Sequence, residues 1–215
     1  MIKQEFEGGR IVLYNADCLD VMREIGDKEI DLVLTDPPYG IGGDSLHSNR
    51  LKGSGKLKNR ALNAMNTKWD IAPSKKVFDE IFRISKNQII WGGNYFELPR
   101  TRGVICWDKC QPFPNFSAWE MGWTSFNCVA RMFKFDNRTG DKIHPTQKPV
   151  ALISWCLNNH SKKDDLIFDG FLGSGTTAIS CIRAKRRLIG CELDNEYFEK
   201  MCYRIEEELR QGRLF

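Results

Sequence analysis

The chain has 215 residues, a formal net charge of +4, and a composition of 41% hydrophobic and 28% charged residues. That length can bury the core of one domain but not of two ordinary ones, and the composition excludes a disordered chain and a membrane-inserted one. The net charge is too small by itself to indicate a nucleic-acid partner.

The start of the chain lacks the continuous apolar core of a signal peptide, so we expect a cytoplasmic protein without a membrane segment. Eight cysteines are scattered singly without a Cys-x-x-Cys pair, which indicates buried reduced thiols rather than disulfides. The three histidines lie far apart in sequence and form no recognisable set of metal ligands, so no metal site is predicted.

The first regular elements form a predicted β-α-β unit. Residues 10–17 have the pattern of a strand that ends in an acid, Asp17, and residues 18–25 carry apolar side chains at helical spacing. Asp31–Leu34 is a second apolar run of strand length. A unit of this kind favours a parallel sheet with a right-handed crossover.

The second strand leads directly into Asp36-Pro37-Pro38-Tyr39. The prolines hold φ at about −65° and have no N–H, so they form a stiff turn that leaves unopposed carbonyls beside the Asp36 carboxylate. Such an acceptor-only pocket can take both hydrogens of an exocyclic amino group while Tyr39 stacks on its ring. These hydrogen bonds favour a tetrahedral nitrogen and free its lone pair for attack. The alternative is a proline turn with a helix-capping aspartate.

A long basic segment, residues 41–68, follows this turn and contains interspersed glycines. We expect it to neutralise the phosphates of a nucleic acid, although a solvated surface loop is the alternative. Its candidate phosphate contacts are Arg50, Lys52, Lys56, Lys58 and Arg60.

The middle of the chain predicts four further elements and one irregular region. Residues 69–85 carry a broad apolar face at helical spacing, and residues 87–93 and 104–107 are apolar runs of strand length. Residues 108–142 have no clean period but are rich in aromatic residues. We expect most of these rings in the core of late strands, although unstacked bases also need aromatic partners. A proline precedes a predicted helix over residues 150–158.

A strand over residues 165–169 leads into a glycine turn over residues 170–177 and a helix through about Ala184. Another strand covers residues 187–192, and the closing helix covers residues 195–210. The turn and the helix contain the G-x-G-x-x-A pattern of dinucleotide-binding proteins at Gly173, Gly175 and Ala178.

Glu192 ends the next strand about 20 residues after these glycines, as that pattern requires. An acid there can accept hydrogen bonds from both hydroxyls of a ribose. The part of the chain with the glycine turn is therefore predicted to bind an adenosine-bearing cofactor. A Walker loop is excluded because Thr176 stands where that loop needs lysine. Asp169 would repel a pyrophosphate but suits the ammonium of a methionyl group. These residues alone leave two alternatives open. The turn could bind a nicotinamide cofactor, or it could be a glycine turn that binds no ligand.

With both segments in view, the chain resembles the amino-directed DNA methyltransferases of the permuted β class over nearly its whole length. Residues 36–39 match the catalytic motif of that family, and the glycine turn resembles its methionine-binding loop. The segment His144-Pro145-Thr146-Gln147-Lys148-Pro149 is similar to the one that precedes its cofactor-side helix. The catalytic motif comes before the cofactor loop, which is the order of the β class. Gly170 departs from the family, which usually has proline there.

The resemblance implies a single α/β domain over residues 1–215, with a doubly wound, mostly parallel sheet of seven strands in a Rossmann-like fold. It implies S-adenosylmethionine as cofactor and Asp36, Pro37, Pro38 and Tyr39 as catalytic residues. The implied cofactor contacts are Asp17, Cys18, Asp36, Thr146, Lys148, Asp169, Phe171, Gly173, Ser174, Gly175, Thr176, Thr177, Glu192 and Leu193.

The same resemblance implies that the partner is DNA and that the target base leaves the duplex, because its amino group is otherwise paired. The leading aspartate of residues 36–39 favours adenine over cytosine. The family's target-recognition region is commonly longer than residues 108–142, which implies a short recognition site or a second subunit, and hence a homodimer. The alternatives of other classes are a nicotinamide-dependent oxidoreductase and a catalytically inactive DNA-binding relative.

Overall fold

The computed structural model describes residues 2–41, 70–111, 117–136 and 147–212. In these parts of the chain one sheet contains the strands β1 (Ile2–Phe6), β2 (Ile11–Asn15), β3 (Ile30–Thr35), β4 (Ser85–Trp91), β5 (Val104–Asp108), β6 (Trp119–Thr124), β7 (Arg131–Lys134), β8 (Leu166–Asp169) and β9 (Arg187–Glu192). The helices are α1 (Cys18–Arg23), α2 (Lys75–Ile84), α3 (Val150–His160), α4 (Thr176–Ala184) and α5 (Asn195–Gly212).

The sheet has the strand order β1-β2-β9-β8-β3-β4-β6-β5-β7. Its centre is parallel from β2 through β4, whereas β1 and β6 run antiparallel to their neighbours and β7 runs parallel to β5. The predicted α/β class with a mostly parallel sheet is confirmed. The two strands of the predicted β-α-β unit are not neighbours, because β9 and β8 lie between them.

Within the described residues the sheet has nine strands, where seven were expected. One strand absent from the prediction is β1, with the sequence Ile-Lys-Gln-Glu-Phe. Four of its residues are exposed, and among the described strands it pairs only with β2. A strand at the edge of a sheet that buries almost nothing needs no apolar alternation, so its pattern gives little signal. At the other edge, β7 is short and also largely exposed.

Helices cover both faces of the sheet, as a doubly wound fold requires. The helices α1 and α2 pack in one core cluster, and α3, α4 and α5 pack in the other. In α2 the buried residues Val77, Phe78, Ile81 and Ile84 follow helical spacing. This helix begins at Lys75 rather than at residue 69, because Ser74, which follows Pro73, has an extended conformation at its amino end.

The predicted burial of the thiols is confirmed for Cys18, Cys156, Cys181 and Cys191, whereas Cys110 is exposed. Within the described ranges, no helix has both the length and the apolar character to span a membrane. No group of three or more potential metal-binding side chains occurs in these ranges either.

The parallel strands β2, β9, β8, β3 and β4 all end at the same edge of the sheet, which we call the carboxyl edge. The last residues of these strands are Asn15, Glu192, Asp169, Thr35 and Trp91. The residues predicted to bind the cofactor and the target base therefore follow neighbouring strands, which is where open α/β sheets place their ligands.

Candidate active site

The turn after β3 holds Asp36 and Tyr39 in contact. The Tyr39 hydroxyl donates a hydrogen bond of 2.8 Å to Oδ1 of Asp36. At the end of the turn, the amide of Gly40 donates a hydrogen bond of 2.8 Å to Asp70. Burial raises the pKa of Asp36 and outweighs the opposing effect of the nearby Lys148 ammonium. The turn thus presents a partly buried carboxylate whose orientation is fixed before a substrate binds.

The Tyr39 ring is held by the turn that ends β4. Gly92 has a φ of +69°, and a Cβ at this position would lie 2.1 Å from Cε1 of Tyr39, so only glycine fits there. The ring of Tyr95 stacks on Tyr39 with centroids 4.7 Å apart, and Phe96 meets its edge at 6.1 Å. Tyr95 was not predicted as a site residue, although its position just after a strand-ending glycine pair is a signal that the sequence contains.

Lys148 lies at the catalytic turn, although the resemblance had placed it among the cofactor contacts. Its ammonium forms a salt bridge with Oδ2 of Asp36 and lies 3.4 Å from the Tyr39 hydroxyl. The side chain is only 6% exposed. Its main-chain carbonyl accepts a hydrogen bond of 3.1 Å from Oγ1 of Thr176, at the start of α4.

Glu120 on β6 completes this cluster and was missed by the sequence reasoning. Its Oε2 lies 3.0 Å from Nζ of Lys148, and Lys109 forms a salt bridge with its Oε1. Burial acts to raise the pKa of Glu120, but the two ammonium groups outweigh it and lower the pKa to about 2. A lone acid in an aromatic-rich stretch gave no signal, because its role depends on β6 pairing with β4.

Asp169, at the end of β8, lies under the glycine turn and connects it to the catalytic strand. Its carboxylate accepts hydrogen bonds from Thr35 at 2.7 Å, from Thr177 at 2.7 Å and from the amide of Phe171 at 3.0 Å. Burial raises the pKa of Asp169 to about 6 despite these donors. The carboxylate is therefore already occupied by the protein, which gives it an architectural role in addition to the predicted one.

The glycine turn has the conformation that its sequence predicts. Gly173 and Gly175 have φ values of +50° and +75°. The amide of Gly173 donates a hydrogen bond of 2.7 Å to Glu192 at the end of β9, and the amide of Asp194 donates one of 2.9 Å to the same carboxylate. Burial raises the pKa of Glu192 above its ordinary value. A strand-end acid beside a glycine turn fits the ribose of an adenosine-bearing cofactor.

Three predicted cofactor contacts turn their hydroxyls into the protein. The side chains of Ser174 and Thr176 lie 3.1 Å apart, and Thr177 bonds to Asp169. All three residues are buried. In addition, Arg204 on α5 donates a hydrogen bond of 2.8 Å to the carbonyl of Ser174. These hydroxyls therefore hold the turn and the start of α4 in place.

The remaining described cofactor candidates lie around the same edge. Asp17 caps α1 by accepting a hydrogen bond of 2.8 Å from the amide of Leu19. Cys18 is buried against Gly170, and burial raises the pKa of its thiol to about 12. Leu193 is 72% exposed beside Glu192, so its side chain is accessible to a ligand.

Two groups of predictions lie outside the described residues. They are the cofactor contact Thr146 and the five phosphate contacts Arg50, Lys52, Lys56, Lys58 and Arg60. Both groups stay predictions.

Several known proteins resemble this chain. Type II methyltransferase M2.MboI of Moraxella bovis is 29% identical over 91% of this chain and 87% of that protein. The crystal structure of the M1.HpyAVI-SAM complex has a TM-score of 0.59 with 18% identity, covering 91% of this chain and 99% of that chain. The cytosine-N4-specific PvuII DNA methyltransferase has a TM-score of 0.61 with 16% identity, covering 90% of this chain and 86% of that chain.

At these identities the two solved structures show a shared fold, a Rossmann-like DNA methyltransferase fold with helices on both sides of the sheet. The family evidence is separate and comes from the sequence. Residues 72–202, more than half of the chain, match the family model described as DNA methylase of the N6/N4 type. The chain belongs to the N6/N4 family of DNA methylases.

Proposed function

We propose that this protein transfers a methyl group from S-adenosylmethionine to the exocyclic amino group of adenine in DNA. The observation that carries the proposal is the joining of two half-sites at the carboxyl edge. Asp36 and Tyr39 follow β3, and Thr35 of the same strand donates a hydrogen bond of 2.7 Å to Asp169 at the glycine turn. An amine-binding carboxylate and a nucleoside-binding turn are thus built as one unit.

S-adenosylmethionine supplies an electrophilic methyl group when it is bound. Glu192 would hold its ribose hydroxyls, and the main chain around Gly173 would approach it closely because no Cβ is present there. As the family resemblance implies, Asp17 would lie near its adenine, and Phe171 would be a further cofactor contact. The solved complex of M1.HpyAVI with SAM, which shares this fold, supports the assignment.

The target base must leave the duplex before its amino group can reach Asp36. Tyr39 then stacks on the base, and Asp36 and the carbonyl of Pro37 accept the two amino hydrogens. This arrangement favours a tetrahedral nitrogen, whose lone pair is no longer conjugated with the ring and is free to attack the methyl group. The bond from the nitrogen to the methyl carbon would form as the bond from that carbon to the sulfonium sulfur breaks, with S-adenosylhomocysteine as the leaving group. The methylated nitrogen is positively charged, and the ionised Asp36 stabilises that charge until one amino proton passes to solvent.

Adenine is the proposed base because the catalytic motif begins with aspartate, the residue that the resemblance associates with adenine. Cytosine is the second candidate, since the PvuII enzyme, which shares this fold, is specific for cytosine N4. Both bases present the same kind of conjugated amino group, so the chemistry of Asp36 and Tyr39 serves either one.

The decisive experiment incubates the protein with unmodified DNA and methyl-labelled S-adenosylmethionine, digests the DNA to nucleosides and identifies the labelled species. We expect labelled N6-methyl-2′-deoxyadenosine, which Asp36→Ala should abolish. Asp79→Ala, on the exposed side of α2, is the matched control and should retain the activity. Label on cytosine would establish the second candidate, and no transfer by the wild type would indicate an inactive DNA-binding relative. The cytoplasmic location and the homodimer stay predictions.

A further inference from the structure

Lys148 connects the two half-sites through different parts of the same residue. Its main-chain carbonyl accepts a hydrogen bond from Thr176 at the start of α4, which follows the glycine turn. Its ammonium forms a salt bridge with the Asp36 carboxylate of the catalytic turn. The position of this ammonium is therefore set by the cofactor half of the protein, while its charge acts on the catalytic half.

We propose that Lys148 is a positioning residue for methyl transfer, whose ammonium keeps Asp36 ionised and oriented while Glu120 anchors that ammonium from a second direction. This inference rests on the function proposed above and adds to it. Neither the family resemblance nor the sequence pattern assigns Glu120 to the site.

The orientation of Asp36 follows from its contacts. Oδ1 accepts the hydrogen bond from the Tyr39 hydroxyl at 2.8 Å, and Oδ2 pairs with the Lys148 ammonium. A carboxylate held at both oxygens cannot rotate, so the lone pairs that remain free point in fixed directions. A substrate amino group therefore meets a pre-oriented acceptor, which lowers the reorganisation needed during the reaction.

The burial of Lys148 explains why a second carboxylate is present. Its side chain is 6% exposed, and an ammonium group so far from water needs strong partners. Besides Asp36, the Lys148 ammonium pairs with the Glu120 carboxylate at 3.0 Å. It also lies over the ring of Trp91, 5.5 Å from the ring centroid. Burial acts to lower the pKa of Lys148, but the two carboxylates outweigh it and raise the pKa.

The charges in this cluster alternate and cancel. Lys109 pairs with Glu120, Glu120 lies beside Lys148, and Lys148 pairs with Asp36. If Asp36 were the sole partner of the ammonium, their pairing would weaken the carboxylate as an acceptor for the substrate. Lys148 favours the ionised form of Asp36, whereas the negative charge of Glu120 opposes it. Because Glu120 shares the ammonium, Asp36 keeps its strength as an acceptor for the amino group.

The test is single-turnover methylation of unmodified DNA with labelled S-adenosylmethionine over a range of pH. In Lys148→Met the loss of a positive neighbour should raise the pKa of Asp36. The acidic limb of the rate profile then moves to higher pH, and the rate at neutral pH falls by about a hundredfold. In Glu120→Gln the loss of a negative neighbour should move the same limb to lower pH. A loss of packing does not produce opposite shifts from two adjacent residues.

Two variants control the interpretation. Lys148→Arg keeps the positive charge and should keep the acidic limb of the rate profile near its wild-type position. If Lys148→Met fails to fold, Lys148→Arg still tests whether a positive charge at this position sets the limb. Lys86→Met removes another ion-paired lysine, the exposed partner of Asp31 at the opposite end of β3, and should leave the whole profile unchanged. Calorimetric titration with S-adenosylmethionine should give wild-type affinity for Lys148→Met, because the ammonium contacts Asp36 rather than the glycine turn.

Three outcomes would overturn the inference: an acidic limb that does not move in Lys148→Met, limbs that move in the same direction in both variants, or a loss of cofactor affinity in Lys148→Met. Failure of the proposed function looks different, because the wild type itself would then transfer no methyl group. In that case an NMR titration of the Lys148 side chain still tests the pairing. Its pKa should fall when Asp36→Asn removes the neighbouring charge, and an unchanged value would refute the pairing.

Discussion

Thr35 and Asp169 lie 134 positions apart in the chain, yet the Thr35 hydroxyl donates a buried hydrogen bond of 2.7 Å to the Asp169 carboxylate. Thr35 precedes the catalytic motif, and Asp169 precedes the glycine turn. The bond crosses two neighbouring parallel strands, β3 and β8, at the point where both end. A change at either residue should therefore affect both half-sites.

The ionisation of Asp169 should make stability depend on pH in a defined window. The pKa of Asp169 is raised from 3.8 to about 6, so the native protein holds this proton more tightly than the unfolded chain. Stability should therefore fall as pH rises from 3.8 to about 6, by up to about 3 kcal/mol. Asp169→Asn cannot ionise and should lack this loss, which urea unfolding at a series of pH values measures.

Thr35→Val is the companion variant for this prediction. It removes a hydrogen bond that lowers the pKa of Asp169, so the loss of stability should continue to higher pH than in the wild type. Identical pH dependence in the wild type and Asp169→Asn would contradict the assignment of this ionisation.

Gly92→Ala should disable the catalytic turn through Tyr39. The new Cβ would lie 2.1 Å from Cε1 and 2.6 Å from Cζ of Tyr39, so the ring must move. We expect the rate of methylation to fall by about a hundredfold and the free energy of unfolding to fall by about 1–3 kcal/mol. In a Tyr39→Ala background, the stability cost of Gly92→Ala should shrink to the strain of a positive φ alone. A double-mutant cycle by chemical denaturation checks this, and additive costs would argue against a clash with the ring.

Gly175→Ala should cost more stability than backbone strain alone explains. Gly175 has a φ of +75°, and a Cβ there would lie 2.5 Å from Cγ of Met201 on α5. Gly8 offers a matched control, because its φ is +65° but a Cβ added there would have no atom within 4 Å. We expect Gly8→Ala to lower the free energy of unfolding by about 1–2 kcal/mol, and Gly175→Ala to lower it by about 1–3 kcal/mol more. Equal costs in thermal or urea unfolding would show that Met201 moves freely.

Glu192→Gln should weaken cofactor binding. The carboxylate accepts hydrogen bonds from the amides of Gly173 and Asp194, and the substituted amide keeps only one acceptor oxygen. Hydrogen bonds to charged groups contribute about 1.5–3 kcal/mol, so affinity for S-adenosylmethionine should fall by roughly 10- to 100-fold. Glu199→Gln, an exposed change on α5, should bind as the wild type does. Titration calorimetry decides, and equal affinities would remove Glu192 from the cofactor site.

The parallel centre of the fold was predictable because its strands are buried on both faces. The predicted bounds of β3, β8 and β9 differ from the observed ones by at most one residue at each end. Such strands are continuous apolar runs with a sharp change of composition at the carboxyl edge, where acids, glycines and prolines begin. The catalytic turn and the glycine turn were found for the same reason.

What the sequence did not reveal depends on neighbours across the sheet. Glu120 acquires its role because β6 pairs with β4, and Tyr95 because a turn folds it onto Tyr39. The glycine pair before Tyr95 indicates a turn, but local pattern does not say which residues that turn or the strand pairing brings together. Lys148 shows the same limit, since the family motif identified the residue as a cofactor contact but gave no sign that its ammonium pairs with Asp36.

The strand order has a consequence for how the protein is made. β2 and β3 come early in the chain but lie two strands apart, and the space between them is filled by β9 and β8. During synthesis the sheet therefore stays open until residues 166–192 have been added, and closure depends on long-range parallel pairing, which is slow. Because the catalytic turn gains its bond to Asp169 only at that step, both half-sites mature together, and a partly made chain has neither of them.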